Sequence, residues 1–328
     1  MKKRIHKGIV LDAKREHFDS GGAAFATVFY DKEVSREYLM FYTGVKDEWS
    51  KAYIGLAISY DGINFRKLNE PILNPEDFNY REAVTPVIFR VKNKFYMVFA
   101  GAPYGKGRRI CLAYSDDIKG PYLFLRVLIK PEYLWEGTSI DLGPSIFKLS
   151  ENEILIFYSN VSNKFLEHLL KPEYWLTHLW LRRIGILRLK ITSPEDVEIH
   201  RISSLKHLNG PKGSWNESLF CPGYFNLESR HYLLPAASTY SVGFPYKQYI
   251  GLVIDSSPFF RRPKSFTILI DGPKEKEHII PGIRSEVALD TPCPIIIGDK
   301  LYLYYAVMDR ADNMWKTALT IFPLNEFL

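Results

Sequence analysis

The sequence is short of most features that announce a function. Its three cysteines, Cys111, Cys221 and Cys293, lie far apart and form no Cys-x-x-Cys pair, which argues against both a disulfide framework and a structural zinc centre. None of the eight histidines pairs at metal-ligand spacing. No metal and no cofactor is therefore expected, and His6 and His17 read as surface residues. There is no Gly-x-Ser-x-Gly nucleophile elbow, and Gly21-Gly22 is followed by no helical pattern that would make it a phosphate loop. No apolar run is long enough to cross a bilayer. The basic opening Lys2-Lys3-Arg4 leads into no apolar run by Gly8, so no signal peptide is expected and the chain reads as cytoplasmic. Charge of one sign is scarce too. Lys and Arg outnumber Asp and Glu by 43 to 37, and apart from short patches such as Arg261-Arg262 the excess is scattered. Without a basic stripe, a nucleic-acid partner is not expected.

What the chain has in plenty is aromatic residues, 15% of the total, which suit pleated, half-buried surfaces. They fall into a repeat. A small or proline residue opens an apolar strand, and after a turn comes a second strand dense in aromatics. The copies are Ala26–Tyr30 with Tyr38–Tyr42, Pro86–Phe89 with Phe95–Phe99, and Pro144–Phe147 with Ile154–Tyr158. Two more are Pro222–Phe225 with His231–Leu234, and Pro294–Ile297 with Leu301–Tyr305. Asn93-Lys94 and Gly298-Asp299-Lys300 have the chemistry of tight hairpin turns. A third strand follows each pair, with Ile54–Ser59 and Ile110–Ser115 near duplicates, and Ile63-Asn64-Phe65 marks a short outer strand.

Four antiparallel strands per copy, repeated five times, describe a five-bladed β-propeller, all-β, in one domain over residues 1–328. A generic β-sandwich fits less well, because the copies tile nearly the whole chain. One segment breaks the repeat. Residues 163–183 in the third blade read as an amphipathic helix interrupted at Pro172, with Leu166, Leu169, Leu170, Trp175, Leu179 and Trp180 as its apolar residues. It is expected to pack on its own blade, with a lid or a dimer contact as alternatives; the oligomeric state is not legible.

In a propeller the first strand of each blade lines the central channel, so the residues just before these strands meet. Here they are acidic: Asp19, Glu82, Asp141 and Glu217 precede the first four, and Glu286 and Asp290 the fifth. Crowded carboxylates push some pKa values up and suit acid–base chemistry. Arg81 and Arg284 are the expected ion-pair partners of Glu82 and Glu286, or candidate phosphate ligands. Trp135 and Trp215 are either stacking platforms for a sugar or blade-packing filler.

Motifs at these positions resemble those of the five-bladed propeller glycoside hydrolases, the broad group of arabinanases, β-xylosidases, invertases and levansucrases. The resemblance implies a general base at Asp19, in Phe18-Asp19-Ser20-Gly21-Gly22. It implies a pKa-tuning carboxylate at Asp141, in Ile140-Asp141-Leu142-Gly143-Pro144, and a general acid at Glu217, in Asn216-Glu217-Ser218-Leu219-Phe220-Cys221-Pro222. Thr85-Pro86 resembles the Ala-Pro of a blade without an acid. Two departures stand out: no Pro follows Asp19, and Asp290 takes the place where that family often has His. Glu82 is the reserve carboxylate, as in invertase-like members. The ending Leu303-Tyr304-Tyr305-Ala306-Val307-Met308-Asp309 is similar to that of mannoside phosphorylases of the same superfamily.

The expected activity is hydrolysis of a glycosidic bond in an oligosaccharide or small glycoside, by paired carboxylates acting as acid and base. The alternatives are a glycoside phosphorylase on the same scaffold and a non-catalytic carbohydrate-binding propeller. The expected partner is a small carbohydrate, with neither nucleic acid nor membrane. Expected substrate-binding residues are Glu82, Arg81, Trp135, Trp215, Asp290 and Glu286.

Overall fold

The computed structural model describes residues 2–31, 34, 36–161, 182–211, 213–239, 248–271, 288–309, 312 and 314–328. The expected helical insertion at 163–183, apart from Arg182 and Arg183, lies outside the described residues, as do Arg284 and Glu286.

The chain is all-β, and its strands follow one another as antiparallel meanders. The first comprises β2 (Gly22–Phe29), β3 (Tyr38–Lys46), β4 (Lys51–Ser59) and the two-residue β5 (Arg66–Lys67). The second runs through β6 (Tyr80–Val91), β7 (Lys94–Pro103), β8 (Arg109–Ser115) and β9 (Leu123–Ile129). The third has β10 (Ile140–Lys148), β11 (Glu153–Asn160), β12 (Ile184–Ile191) and β13 (Val197–Ser204). The fourth has β14 (Ser218–Leu227), β15 (Arg230–Ser238), β16 (Gln248–Asp255) and β17 (Ser265–Asp271). The last joins β18 (Ala288–Ile297), β19 (Lys300–Asp309) and β20 (Met314–Pro323) to the N-terminal strand β1 (Ile5–Leu11), which pairs with β20. The two ends of the chain thus complete one sheet together.

As hydrogen-bonded sheets, the meanders do not all stand alone. The third and fourth are separate four-stranded sheets, but the last, first and second are joined into one sheet of twelve strands. The links are single parallel bridges, Gly22 to Trp315 and Ala52 to Glu82. They form where the start of a first strand meets the start of a neighbouring third strand.

Burial explains the sequence pattern. First and second strands are covered on both faces and read as nearly continuous apolar runs, whereas the outer β13 alternates between half-buried and exposed positions. Adjacent meanders pack face to face through separate apolar clusters. One holds Phe41, Leu56, Met97 and Phe99, the next Val98, Leu112, Ile156 and Leu187, and the next Phe157, Ile186, Leu233 and Val253. Tyr232, Leu252, Leu303 and Phe322 continue the series, and Met40, Ala57, Tyr304 and Leu319 return it to the first meander. Each first strand also touches the next in cyclic order.

That inner ring is tight. A methyl group on Gly143 of β10 would sit 2.1 Å from the carbonyl oxygen of Pro222, and one on Gly223 of β14 would sit 2.0 Å from that of Pro292. These contacts are backbone, which yields little. Gly143→Ala is therefore expected to cost about 3 kcal/mol of stability by overpacking. A urea midpoint should show it, against a Gly105→Ala control where no atom lies within 4 Å and only positive-φ strain of about 1 kcal/mol applies.

Candidate active site

Every first strand carries a register break at the same place: after Ala24, Val84, Leu142, Phe220 and Asp290. Four of these bulges hold a non-glycine residue at positive φ: Phe25, Thr85, Cys221 and Thr291. Bulges re-aim side chains, and left-handed backbone at a non-glycine residue persists only where its surroundings enforce it. Hydroxyls from the preceding meander supply part of that support. Thr43 accepts the Thr85 N–H at 3.0 Å, and Ser159 accepts the Cys221 N–H at 3.2 Å.

The bulges turn their residues into one cavity of about 140 Å³, lined by Phe25, Val84, Thr85, Asp141, Cys221 and Asp290, with Trp49, Arg108, Val161, Arg182 and Trp315 completing the wall. The second group has its own regularity. Trp49, Arg108 and Arg182 come just before third strands β4, β8 and β12, and Trp315 sits at the start of β20. First strands thus supply the floor, and the approaches to third strands supply the rim.

Arg108 organises the acidic side. Its Nε donates to Glu82 Oε2 at 2.7 Å and an η nitrogen donates to Asp141 Oδ2 at 2.6 Å. Its guanidinium lies 5.3 Å from the Trp49 ring centre. Burial works against its charge, but Asp141 and Glu82 outweigh that and hold its pKa above the ordinary arginine value. Asp141 Oδ1 accepts from the Thr85 hydroxyl at 2.6 Å and from the Leu142 N–H at 2.8 Å. Arg81 also pairs with Glu82.

Asp290 is in a different position. Its Oδ1 accepts from the Thr291 N–H at 2.7 Å and the Thr291 hydroxyl at 3.0 Å. Burial raises its pKa, Asp141 adds to the rise, and Arg182 opposes it. Arg182 lies over the Phe220 ring at 4.4 Å and gives its Nε to the Val161 carbonyl at 3.0 Å. Burial, with Asp290 and Asp141 nearby, also pushes the Cys221 thiol well up, so it is a neutral wall. The cavity thus joins one multiply paired carboxylate to one whose pKa burial raises, and carboxylates in unlike surroundings suit acid–base chemistry.

The other expected residues are placed elsewhere. Asp19 is fully buried in its own cluster, ion-paired with Lys67, accepting from the Tyr42 hydroxyl at 3.0 Å and lying 3.2 Å from His17 Nδ1. Burial lowers the Lys67 pKa and Asp19 opposes it. Glu217 is buried, and its Oε2 accepts the Gly213 N–H at 2.8 Å. Trp215 packs edge-on against Phe266, with ring centres 4.8 Å apart. Trp135 packs against Tyr158 at 5.5 Å, in the third meander. Of the expected residues, Asp141 and Asp290 line the cavity, and Glu82 joins it through Arg108.

Comparison with known proteins agrees with this architecture. Residues 16–122 match the model of the β-1,4-mannooligosaccharide phosphorylase family. A β-1,2-mannobiose phosphorylase of Thermoanaerobacter sp. (strain X514) is 30% identical over 130 residues, covering 38% of this chain and 36% of that relative's length. Among solved structures, β-1,2-mannobiose phosphorylase from Listeria innocua in complex with β-1,2-mannobiose is similar over 98% of this chain and 97% of that one, with a TM-score of 0.62 and 14% identity. Native Bacillus subtilis arabinanase gives 0.58 and 15%, covering 96% of each chain. A thermostable family-43 glycoside hydrolase gives 0.60 and 14%, covering 94% of this chain and 91% of its own. At such identities the structures speak for the fold. The chain has the fold of the propeller glycoside hydrolase superfamily, the resemblance its sequence carries.

Two stability outcomes follow from the geometry. Arg108→Met removes the cation shared by two buried carboxylates and is expected to cost about 3–5 kcal/mol in chemical denaturation. The raised pKa of Asp290 means that the folded state holds that proton more tightly than the unfolded chain does. Its contribution is full below the ordinary aspartate value of about 4 and is lost as pH rises through the raised value. Asp290→Asn keeps the neutral form, so its urea midpoint should exceed the native one at pH ~7 and match it near pH ~4.

Proposed function

We propose that the five meanders are the blades of a five-bladed propeller enzyme that cleaves a short β-mannoside, with inorganic phosphate as the acceptor. The observation that carries this reading is the pairing of Asp141 and Asp290 in one cavity beside Arg108 and Arg182. The match of residues 16–122 to mannooligosaccharide phosphorylases supports the substrate class and the acceptor.

The roles follow from the surroundings. Asp290, whose pKa burial raises, gives a proton to the glycosidic oxygen as the bond from that oxygen to the anomeric carbon breaks. A phosphate oxygen forms the new bond to that carbon, so the products are a sugar 1-phosphate and the released saccharide. Asp141, kept in place by Arg108, Thr85 and the Leu142 N–H, supplies negative charge as positive charge builds on the sugar ring. Arg182, with Nε already committed to Val161, presents the rest of its guanidinium to an anion. We place the proton donor at Asp290 rather than Glu217 because Asp290 lines the cavity. Asp19, in its separate ion-paired cluster, acts as a support beneath the first meander. Hydrolysis is the second reading, favoured by the commitment of Arg108 to two carboxylates, which leaves Arg182 as the main anion partner among the described residues.

Phosphorus NMR on β-1,2- and β-1,4-mannobiose, with and without phosphate, separates the readings. Phosphate-dependent sugar 1-phosphate is the expected result, with Asp290→Asn and Asp141→Asn each lowering kcat by about 10²–10⁴. Mannose released equally without phosphate would convert the reading to hydrolysis. No turnover of either disaccharide would overturn it.

A further inference from the structure

A second concave site lies on the third meander, outside the cavity just described. It holds about 210 Å³ and is lined by Tyr133, Trp135, Tyr158, Arg201, Ile202, Ser203 and Ser204. We infer that this cleft is a separate binding site for a neutral saccharide, resting on the carbohydrate-active reading of the protein but not on its catalytic residues.

Its place in the sheet is the first argument. Asp141 of β10 is opposite Ser159 of β11, the adjacent Tyr158 is opposite Gly185 of β12, and Gly185 is opposite Ser204 of β13. The cleft and Asp141 therefore sit on the same row of strand ends. Three strand spacings, about 14 Å, separate them across the sheet. Both open at the end of the meander where β10 begins.

The second argument is how rigidly the cleft is built. Residues Leu134–Glu136 form one 3-10 turn closed by a reciprocal cap with Tyr133. Glu136 is fully buried beneath it. Its Oε2 accepts the N–H groups of Glu132 and Tyr133 at 2.8 and 3.1 Å, and its Oε1 accepts the Tyr158 hydroxyl at 2.6 Å. Arg201 bonds Glu132 and the Lys130 carbonyl, both at 2.6 Å, stands 3.3 Å from Glu136, and lies 5.2 Å from the Tyr133 ring. A network of this kind fixes two aromatic rings at the mouth of a hollow. Tyr133 nevertheless stays 52% exposed, a costly arrangement for a ring that has only to fill a core.

Charge selects the ligand. The single cation of the lining, Arg201, is paired with both Glu132 and Glu136, so the cleft offers no free positive charge to hold an anion. What remains of the lining is the aromatic surface of Tyr133 and Trp135 with the polar Ser203 and Ser204. That combination suits a pyranose, which carries an apolar C–H face and a ring of hydroxyls.

The test uses the full chain labelled with 5-fluorotryptophan, with the Trp135 fluorine resonance assigned from Trp135→Phe and those of Trp49 and Trp315 assigned likewise. Titration with mannotetraose in the absence of phosphate should shift the Trp135 resonance saturably. In Tyr133→Ala the affinity read at Trp135 should fall about three- to tenfold, while turnover of mannobiose is unchanged. A Trp135 resonance that does not move, or moves equally in native protein and Tyr133→Ala, would overturn the inference. The Trp49 and Trp315 resonances report on the cavity, so failure of the catalytic reading is seen separately.

Discussion

The constraint on which everything else depends is the crowding of the five first strands. At Gly143 against Pro222, and at Gly223 against Pro292, backbone meets backbone with no room for a methyl group. Strands packed this closely cannot stay regular along their length, and each breaks register at the same level. The breaks put Phe25, Thr85, Cys221 and Thr291 into left-handed backbone. Strain of that kind costs about 1–3 kcal/mol per residue, and at Thr85 and Cys221 it is held in part by hydroxyls from the neighbouring meander. What the strain achieves is convergence, because it aims side chains from five distant stretches of sequence at one small space.

Within that space, two aspartates are made unlike by their partners. Asp141 faces a guanidinium, a hydroxyl and an N–H, all donors. Asp290 has Thr291 as its donor and is otherwise enclosed, where burial and the like charge of Asp141 outweigh the opposing Arg182. The two carboxylates thus sit in different surroundings, and the pKa of Asp290 is raised by its own. The stability cost of keeping Asp290 buried is the kind of local conflict that folds retain where chemistry requires it. Arg108 makes the division possible, since it also absorbs the charge of Glu82, which would otherwise raise the repulsion further.

Much of the fold was legible because strand periodicity and aromatic content survive in each copy. The pairs Pro86–Phe89 with Phe95–Phe99 and Pro144–Phe147 with Ile154–Tyr158 fall within β6 with β7 and β10 with β11. What the strands could not reveal is that single backbone bridges at Gly22 and Glu82 fuse three meanders into one sheet, since such bridges depend on spacing and not on side chains. The lining of the candidate cavity was legible in part. Asp141, Asp290 and Glu82 stood out as acidic residues just ahead of first strands. Asp19 and Glu217 met the same rule, but they precede their bulges by six and four positions, and their side chains are taken up by local partners. Arg108, Arg182, Trp49 and Trp315 fall outside that rule, because they belong to third strands and the segments leading into them. Their signal is the recurrence of a large cationic or aromatic residue at or just before the start of the third strand.

The central claim is that burial in the shared cavity raises the pKa of Asp290, beside an Asp141 that is paired with Arg108. Carbon NMR of protein labelled at the aspartate carboxyl groups measures this directly, with Asp290 and Asp141 assigned from their asparagine variants and followed from low to neutral pH. The account predicts that Asp290 titrates above the ordinary aspartate value of about 4. An Asp290 carboxyl that titrates in the ordinary range, unaffected by its neighbour, would contradict the account.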